Sequence, residues 1–229
     1  MPSLQAFNLL MRTAVLIDGE FFLRRRDALN GELAAPDTPE RAANDILTYA
    51  KQHVNDQERD LHRIFYYDAP PLKKKVHNPI THEAIDFEKN PIHAFRTTLF
   101  EELQKRRKIA LRLGYLSDWK AWQLPQEVIK SLCSGKLKWS DLTGKEFKYD
   151  VRQKGVDSRI AVDIASMAYK RQVERMVLIT GDSDFVPAAK LARREGVEFV
   201  LDSMFNPIQP ELRAHIDELK PLQFWVRRK

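Results

Sequence analysis

The sequence predicts an α/β protein in which a mainly parallel β-sheet is covered by helices on both faces. Short apolar runs alternate with longer amphipathic segments over most of the 229 residues, which is the pattern of repeated β-α units. The clearest runs are apolar without interruption, as expected of strands buried on both faces. The length fits one large domain, or one domain with an insertion.

The strands are predicted from short apolar segments bounded by turn residues. Thr13–Ile17 is apolar throughout and ends at an Asp-Gly pair, and Arg175–Thr180 is the clearest strand of the chain. The predicted strands, in chain order, are Thr13–Ile17, Leu61–Tyr67, Ile109–Leu116, Phe147–Gln153, Arg175–Thr180 and Val197–Leu201.

The helices are predicted from end signals and apolar spacing. Only a polar connection is predicted between the first strand and Thr38, which is suited to cap a helix that has Pro39 in its first turn. Gly196 marks the end of a later helix. The predicted helices run from about Pro39 to Val54, from Pro91 to Arg107, from Asp157 to Arg171, from Phe185 to Glu195 and from Pro210 to Leu219.

The segment from about 117 to 147 interrupts the alternation. It contains three of the four tryptophans, Trp119, Trp122 and Trp139, together with Cys133. We therefore predict a Trp-rich insertion that contains a helix and a hairpin.

The insertion lies within a predicted main domain that spans residues 13–203. Residues 1–12 are expected to form an N-terminal extension. Residues 204–229 are expected to form a C-terminal helix and a basic tail.

Composition excludes several classes of protein. A single cysteine, Cys133, can form neither an internal disulfide nor a cysteine-ligated zinc site, and it favours a cytoplasmic protein. No segment is apolar over the roughly 18–20 residues that a membrane span needs. No basic segment precedes the apolar residues near the N-terminus, so a secretory signal is not expected.

The charge of the chain favours a polyanionic partner such as nucleic acid. The formal net charge is +6 and the pI is about 9.3, and basic proteins attract polyanions. The basic residues form clusters at Arg24–Arg26, Lys73–Lys75, Lys105–Lys108 and Arg227–Lys229.

Acidic residues follow the ends of two predicted strands. Asp18 follows the first strand, Asp182 and Asp184 follow Arg175–Thr180, and Asp157 lies in a turn before a helix. Loops after parallel strands open on one edge of the sheet, so these residues can converge. Clustered carboxylates repel one another and suit the hard cations Mg²⁺ and Mn²⁺, which can activate water against a phosphodiester. The sequence has no phosphate loop of the Walker kind.

Each aspartate also has a structural interpretation. Asp18 with Gly19 could form an ordinary turn, and Asp184 or Asp157 could cap a helix. The Asp-x-Asp spacing of Asp182 and Asp184 also occurs in sugar-nucleotide transferases that bind Mn²⁺. The first strand lacks the second aspartate of haloacid-dehalogenase-like phosphatases, which argues against a phosphatase.

Three segments together resemble the NYN domain of the PIN-like nuclease superfamily. They are Val15–Glu20, Lys154–Asp163 and Thr180–Phe185. The resemblance implies a PIN-like three-layer α/β/α fold with a mainly parallel sheet. It also implies a Mg²⁺- or Mn²⁺-dependent ribonuclease activity.

The resemblance also implies roles for individual residues. Asp18 would be a central metal ligand, and Asp157, Asp182 and Asp184 would complete the catalytic cluster. Many members of the family have asparagine where this chain has Glu20. Glu20 could still bind the metal or position water, and it adds a negative charge.

Two further residues of the matching segments are given supporting roles. Asp163 lies six residues after Asp157, which is about 240° around a helix, so the two carboxylates do not share a face. We expect Asp163 to support the site or to bond a buried hydroxyl. Ser183, between the two aspartates of the second turn, is assigned a supporting role.

Basic and aromatic residues are predicted to bind the nucleic acid. Lys154 is the best candidate for a phosphate contact because it is close to Asp157 in sequence. Two tryptophans of the insertion could stack on unpaired bases, although a small satellite core is the preferred interpretation. The predicted contacts are Lys154, Arg24, Arg25, Lys73, Lys74, Trp119 and Trp122.

The leading hypothesis is an endoribonuclease that hydrolyses the phosphodiester bonds of single-stranded or structured RNA with metal-activated water. The alternative is a non-catalytic RNA-binding regulatory module that keeps the fold. Whether the protein forms a homodimer is left open.

Overall fold

The structure is a computed structural model that describes residues 11–30, 37–54, 59–118 and 122–224. The strands are β1 (Met11–Asp18), β2 (Arg59–Asp68), β3 (Lys75–His77), β4 (Ala84–Asp86), β5 (Ile109–Leu113), β6 (Tyr115–Ser117), β7 (Trp122–Gln123), β8 (Lys148–Tyr149), β9 (Arg152–Lys154), β10 (Arg175–Ile179), β11 (Glu198–Asp202) and β12 (Glu218–Leu219). The helices are α1 (Gly19–Asn30), α2 (Pro39–Gln52), α3 (Pro91–Gln104), α4 (Gln126–Cys133), α5 (Val156–Tyr169), α6 (Val186–Arg194) and α7 (Pro210–Ala214).

Within these residues, six strands form one sheet in the order β12-β11-β10-β1-β2-β5. Each neighbouring pair is parallel, which confirms the predicted α/β architecture. The chain places β2 and β5 on one side of β1 and then returns to place β10 on the other side. The carboxyl ends of β1 and β10 therefore form a topological switch point, where sites occur in open α/β sheets.

The residues of β1 alternate between two hydrophobic cores. Ala14 and Leu16 pack with α5 and α6 on one face of the sheet, whereas Val15 and Ile17 pack with α1, α2 and α3 on the other. All four side chains are fully buried. Burial on both faces explains the uninterrupted apolar sequence of this strand, and the result is a three-layer arrangement.

Helix α1 begins directly after β1, where the sequence predicted a polar connection. Its core-facing residues include Phe21 and Phe22, but also Arg26, which is 1% exposed. The guanidinium of Arg26 binds Asp45 Oδ2 at 2.9 Å and Asp37 Oδ1 at 2.7 Å. A buried position that carries an ion-paired arginine breaks the apolar spacing, which is why the prediction missed this helix.

Two predicted strands are each divided between different sheets. The chain leaves the main sheet after Leu113, and β6 pairs with β9 in antiparallel orientation. In the insertion, α4 lies between β7 and β8, which also pair antiparallel. A continuous run of strand-forming residues gives no indication of a change of partner, so the predictions for Ile109–Leu116 and Phe147–Gln153 were too simple.

The C-terminal helix is shorter than predicted. Helix α7 ends at Ala214, and residues 218–219 form β12 at the edge of the main sheet. The Asp217 carboxylate accepts hydrogen bonds from Phe199 N and Arg193 Nε, both at 2.8 Å. These contacts hold the chain against β11 in an extended conformation, so the predicted helix to Leu219 was wrong.

Candidate active site

The carboxyl ends of β1 and β10 border a polar cleft of about 400 Å³. The two strand ends lie side by side because Ile17 pairs in register with Ile179. Four of the acids named from the sequence line this cleft. The lining residues are Asp18, Glu20, Phe21, Arg24, Gln153, Asp157, Thr180, Gly181, Asp182 and Asn206.

Asp18 is the last residue of β1 and immediately precedes α1. Its Oδ1 accepts a hydrogen bond from Phe21 N at 3.1 Å, and its Oδ2 accepts one from Thr180 Oγ1 at 3.3 Å. A Cβ at Gly19 would lie 2.6 Å from Tyr66 Cζ. Glycine is therefore required after Asp18 so that the chain can enter the helix against β2.

The surroundings of Asp18 oppose ionisation of its carboxyl group. The pKa of Asp18 is raised to about 6, chiefly by burial, and the charges of Asp157 and Glu20 contribute in the same direction. The hydrogen bonds from Phe21 and Thr180 act in the opposite direction. An acid with this pKa is partly protonated near neutral pH unless a positive charge approaches it.

Asp182 is held by the same threonine. The Asp182 N–H donates to Thr180 Oγ1 at 3.3 Å, so one buried hydroxyl contacts both acidic turns. Asp182 Oδ1 accepts a hydrogen bond from Asp184 N at 2.9 Å and caps a short 3₁₀ helix formed by residues 183–185. A Cβ at Gly181 would lie 2.6 Å from Phe21 Cε2, so this turn also requires glycine.

Asp184 lies beside the cleft and does not line it. The sequence allowed Asp182 and Asp184 to face one side if their turn were extended, but residues 183–185 form a short 3₁₀ helix instead. Asp184 does not cap α6, since Phe185 occupies the N-cap position. Ser183 contributes its carbonyl oxygen to the same turn, where it accepts the N–H of Val186.

Asp157 and Glu20 lie in the first turns of α5 and α1. The N-cap of α5 is Gly155, so Asp157 does not cap its helix. Desolvation by the surrounding cleft raises the pKa of Asp157, and the charges of Asp182, Asp184 and Glu20 add to this effect. These couplings indicate that the five acids share one electrostatic environment. We call this set the acidic cleft: Asp18, Glu20, Asp157 and Asp182, with Asp184 beside them.

Within the described residues, the acidic cleft differs from other acidic sites at this edge in that none of its acids is ion-paired. Among the described residues, no lysine, arginine or histidine forms an ion pair with any of its five acids, whereas Arg96 pairs with Asp68 and His53 with Asp202. Unbalanced carboxylates of this kind attract cations.

The oxygen donors of the acidic cleft fit a hard divalent cation in their chemistry. However, no group of three or more His, Cys, Asp or Glu side chains in the described parts of the chain is arranged so that it could hold a metal ion. Binding would therefore require side-chain movement, or ligands from water or substrate.

Asp163 lies outside the acidic cleft, against the sheet. Its Oδ2 accepts hydrogen bonds from Tyr67 Oη at 2.8 Å and from Arg112 Nε at 3.0 Å. Tyr67 is fully buried. The bond to a buried hydroxyl, which helical geometry offered as one role for Asp163, is therefore present.

The predicted phosphate contacts near the cleft lie in different surroundings. Arg24 is exposed and lines the cleft. The neighbouring Arg25 instead donates from Nη2 to the Met204 carbonyl oxygen at 2.8 Å. Lys154 is exposed on β9. Of these three, only Arg24 borders the acids directly.

The remaining predicted contacts lie on the accessory segments. Lys74 Nζ binds Asp118 Oδ2 at 2.6 Å, and Lys73 Nζ lies 3.9 Å from Glu88 Oε1. Trp122 makes an edge-on contact with Tyr149, with ring centroids 5.2 Å apart, as expected in a satellite core. The other tryptophan assigned to base stacking, at position 119, lies outside the described residues.

Sequence reasoning missed several polar residues at this edge. Thr180, Gln153 and Asn206 line the cleft, but no spacing rule distinguishes them from other polar residues. Asp68 is the last residue of β2 and is 1% exposed. The rule that identified Asp18, an acid at the end of a predicted strand, would also have found Asp68.

Residues 85–219, more than half of the chain, match the family model of the NYN domain. This chain belongs to the NYN domain family. Its fold is accordingly the PIN-like three-layer α/β/α arrangement, and membership indicates a nuclease-like domain with a nucleic-acid substrate. Strand β1, which carries Asp18, lies outside the matched residues.

Other comparisons add little to the family assignment. No curated protein matches the chain. A protein of unknown function from Vibrio parahaemolyticus, known from a crystal structure, is similar with a TM-score of 0.45 and 12% identity over 98% of each chain. No helix among the described residues is long and apolar enough to cross a membrane.

Proposed function

We propose that this NYN domain protein is a metal-dependent endoribonuclease and that the acidic cleft is its active site. The observation that carries the proposal is the grouping of four acids around one cleft at the switch point, with a fifth beside them. None of the five has a basic partner in the described parts of the chain. A cluster of unpaired acids destabilises a fold unless a ligand compensates for its charge.

Asp18 and Asp182 are the residues that would hold a divalent cation, Mg²⁺ or Mn²⁺. Both leave the ends of neighbouring parallel strands, and both contact the hydroxyl of Thr180. Such a cation would neutralise the carboxylates, lower the pKa of an attacking water and stabilise a phosphodiester transition state. Glu20 and Asp157 border the same space and would complete its oxygen ligands.

The protein's own groups prepare the cleft for an anionic substrate. Helices α1 and α5 begin at the cleft, so their N-terminal amides favour negative charge there. The exposed side chain of Arg24 can bind a phosphate of the RNA backbone. The exposed carboxylate of Asp157, whose pKa is raised, is the candidate acceptor for a proton of the attacking water.

Cleavage of single-stranded RNA in the presence of Mn²⁺ tests the proposal. The variants Asp18→Asn and Asp182→Asn remove a charge from the cleft with little change in shape. Asp60→Asn is the matched control, because Asp60 is exposed near the opposite end of β2 and pairs there with Lys108. We expect cleavage by the wild type and the control only. If all four proteins are equally inert on RNA and DNA, hydrolysis is the wrong function.

A non-catalytic RNA-binding module is the second candidate. It is favoured by the lack of a preformed metal group among the described residues and by Glu20, which stands where many family members have asparagine. Salt-sensitive RNA binding that survives Asp182→Asn, without cleavage by the wild type, would support this candidate over the endonuclease.

A further inference from the structure

A second cavity, of about 270 Å³, adjoins the acidic cleft. Glu20 and Gln153 line both spaces, so the two are adjacent. We call the second cavity the side pocket and define it by Asp68, Arg96 and Gln153 together with the apolar residues that surround them.

The polar end of the side pocket is already neutralised. Asp68, the last residue of β2, accepts hydrogen bonds from Arg96 Nη1 at 2.5 Å, from Gln153 Nε2 at 3.2 Å and from Ala69 N at 2.8 Å. The Asp68 carboxylate is therefore balanced by the charge of Arg96, in contrast to the acids of the cleft.

The polar end nevertheless retains hydrogen-bonding capacity. Arg96 carries five N–H donors, and the bonds to Asp68 engage its Nη1 nitrogen. The amide of Gln153 binds Asp68 through Nε2, and its Oε1 is an acceptor. A ligand edge with both donors and acceptors suits this end of the pocket.

The walls of the side pocket are mainly apolar. Leu72, Phe87, Leu116 and Val151 line it, and Asn90 and His93 add polar groups to the lining. Its volume lies near the lower limit of about 300 Å³ for pockets that hold small molecules, so it suits a single planar ring better than a whole nucleotide. Apolar faces with hydrogen-bonding edges are the property of a nucleobase.

We propose that the side pocket binds one unpaired base of the RNA strand whose backbone lies in the acidic cleft. This inference rests on the proposed function, because it takes the occupant of the cleft to be nucleic acid. A base in a duplex must first leave its stack and its pair at an energetic cost before it can enter a pocket, so the pocket favours a single-stranded substrate. The pocket would also fix the position of the strand relative to the carboxylates.

A binding experiment without metal tests the side pocket independently of cleavage. Val151→Trp fills the pocket from its apolar wall, and Val162→Trp is the matched control. Val162 is 65% exposed on α5 and lines neither space. Fluorescence anisotropy would measure how tightly each protein binds two probes: a short single-stranded RNA, and the same strand in which every nucleotide is abasic.

We expect Val151→Trp to weaken binding of the RNA about tenfold, which corresponds to about 1.4 kcal/mol, and to leave binding of the abasic strand unchanged. Val162→Trp should bind both probes as the wild type does. Equal effects of Val151→Trp on both probes, no effect on either, or no binding of RNA by the wild type would each overturn the inference.

The outcomes for the pocket and for the proposed function are separable. If the wild type never cleaves RNA or DNA, but Val151→Trp weakens RNA binding about tenfold and leaves binding of the abasic strand unchanged, the proposed function fails and the pocket assignment holds. If the wild type cleaves RNA and Val151→Trp has no such selective effect, the reverse applies. Thermal unfolding would show whether Val151→Trp is folded, and Leu72→Trp fills the same pocket if it is not.

Discussion

Asp18 and Asp68 end neighbouring strands of one sheet, but within the described parts of the chain only Asp68 of the two has a basic partner. Burial raises the pKa of both carboxyl groups. Arg96 opposes this effect at Asp68, whereas the neighbours of Asp18 include Asp157 and Glu20, whose charges reinforce it. The same position in the fold is therefore neutralised by an arginine at one strand, whereas at the next strand the described residues supply no basic partner.

Asp202, at the end of β11, extends the comparison. It is fully buried and accepts hydrogen bonds from Tyr49 Oη at 2.6 Å, His53 Nε2 at 2.9 Å and Met204 N at 2.7 Å. Three hydrogen-bond donors of the core therefore satisfy this carboxylate. An acid at a strand end is thus not sufficient evidence of a catalytic site; the decisive feature is whether the fold supplies its partners.

The largest expected effect of this difference is on catalysis. Asp182→Asn should lower kcat/KM for RNA cleavage at least about a hundredfold, equivalent to about 2.7 kcal/mol of transition-state stabilisation, because the cleft loses a ligand for the cation. Asp60→Asn, at the other edge of the sheet, should change it less than about twofold. Steady-state kinetics with Mn²⁺ would measure both, and similar losses in the two variants would contradict the assignment.

The paired acid should matter for stability instead. Arg96→Met leaves the buried Asp68 without its cation, which should lower the free energy of unfolding by about 3 kcal/mol. Adding Asp68→Asn removes the buried, unpaired carboxylate charge and should recover much of that loss of stability. Urea denaturation of the single and double variants tests this expectation. If Arg96→Met and the double variant are equally stable, the pair does not interact as described.

For the unpaired acid, Asp18, removal of the charge should raise the free energy of unfolding, whereas loss of the partner of Asp68 lowers it. The native state holds the Asp18 proton more tightly than the unfolded chain, whose aspartate pKa is about 3.9, since the native pKa is about 6. Stability is therefore lost as the pH rises through this window, by up to about 3 kcal/mol. Without divalent metal, Asp18→Asn should be more stable than the wild type at pH 8 and not at pH 4.

A matched control for this pH effect is Asp163→Asn. Asp163 is paired with Arg112 and with the Tyr67 hydroxyl, so its neutralisation should give no stabilisation at pH 8. Thermal unfolding at both pH values provides the measurement. A wild type that is as stable as Asp18→Asn at pH 8 would mean that the Asp18 carboxylate is not under strain.

The smallest expected effect separates two adjacent arginines. Arg24 lines the acidic cleft, whereas the Arg25 guanidinium binds the Met204 carbonyl. Arg24→Ala should weaken RNA binding about threefold to tenfold and reduce the slope of log affinity against log salt by about one. Arg25→Ala should leave that slope unchanged. Titrations at several salt concentrations would distinguish the two, and equal slopes would exclude Arg24 as the phosphate contact.

Much of this architecture was predictable because it depends on local pattern. The central residues of β1 and β10 are apolar since both faces of these strands are buried, and the Thr38 cap of α2 accepts the Arg41 N–H as expected. Helix α1 was not predictable, because the buried Arg26 depends on partners at Asp37 and Asp45 that no local rule connects to it.

The candidate site likewise has residues that could be predicted from the sequence and residues that could not. Asp18 and Asp182 could be named because each follows a strong strand signal. The absence of basic partners in the described cleft could not be predicted, since the contrast between Asp18 and Asp68 depends on Arg96, 28 residues away from Asp68. Thr180 was missed as well, because its contact with both acidic turns exists only after β1 and β10 pair.

Binding of Mn²⁺, followed by the electron paramagnetic resonance signal of the free ion, tests the central claim most directly. If the unpaired acids form a cation site, the wild type and Asp60→Asn should bind Mn²⁺ with equal affinity. Asp18→Asn and Asp182→Asn should each bind it at least about tenfold more weakly, a difference of about 1.4 kcal/mol. Equal affinities in all four proteins, or no binding by the wild type, would contradict the claim.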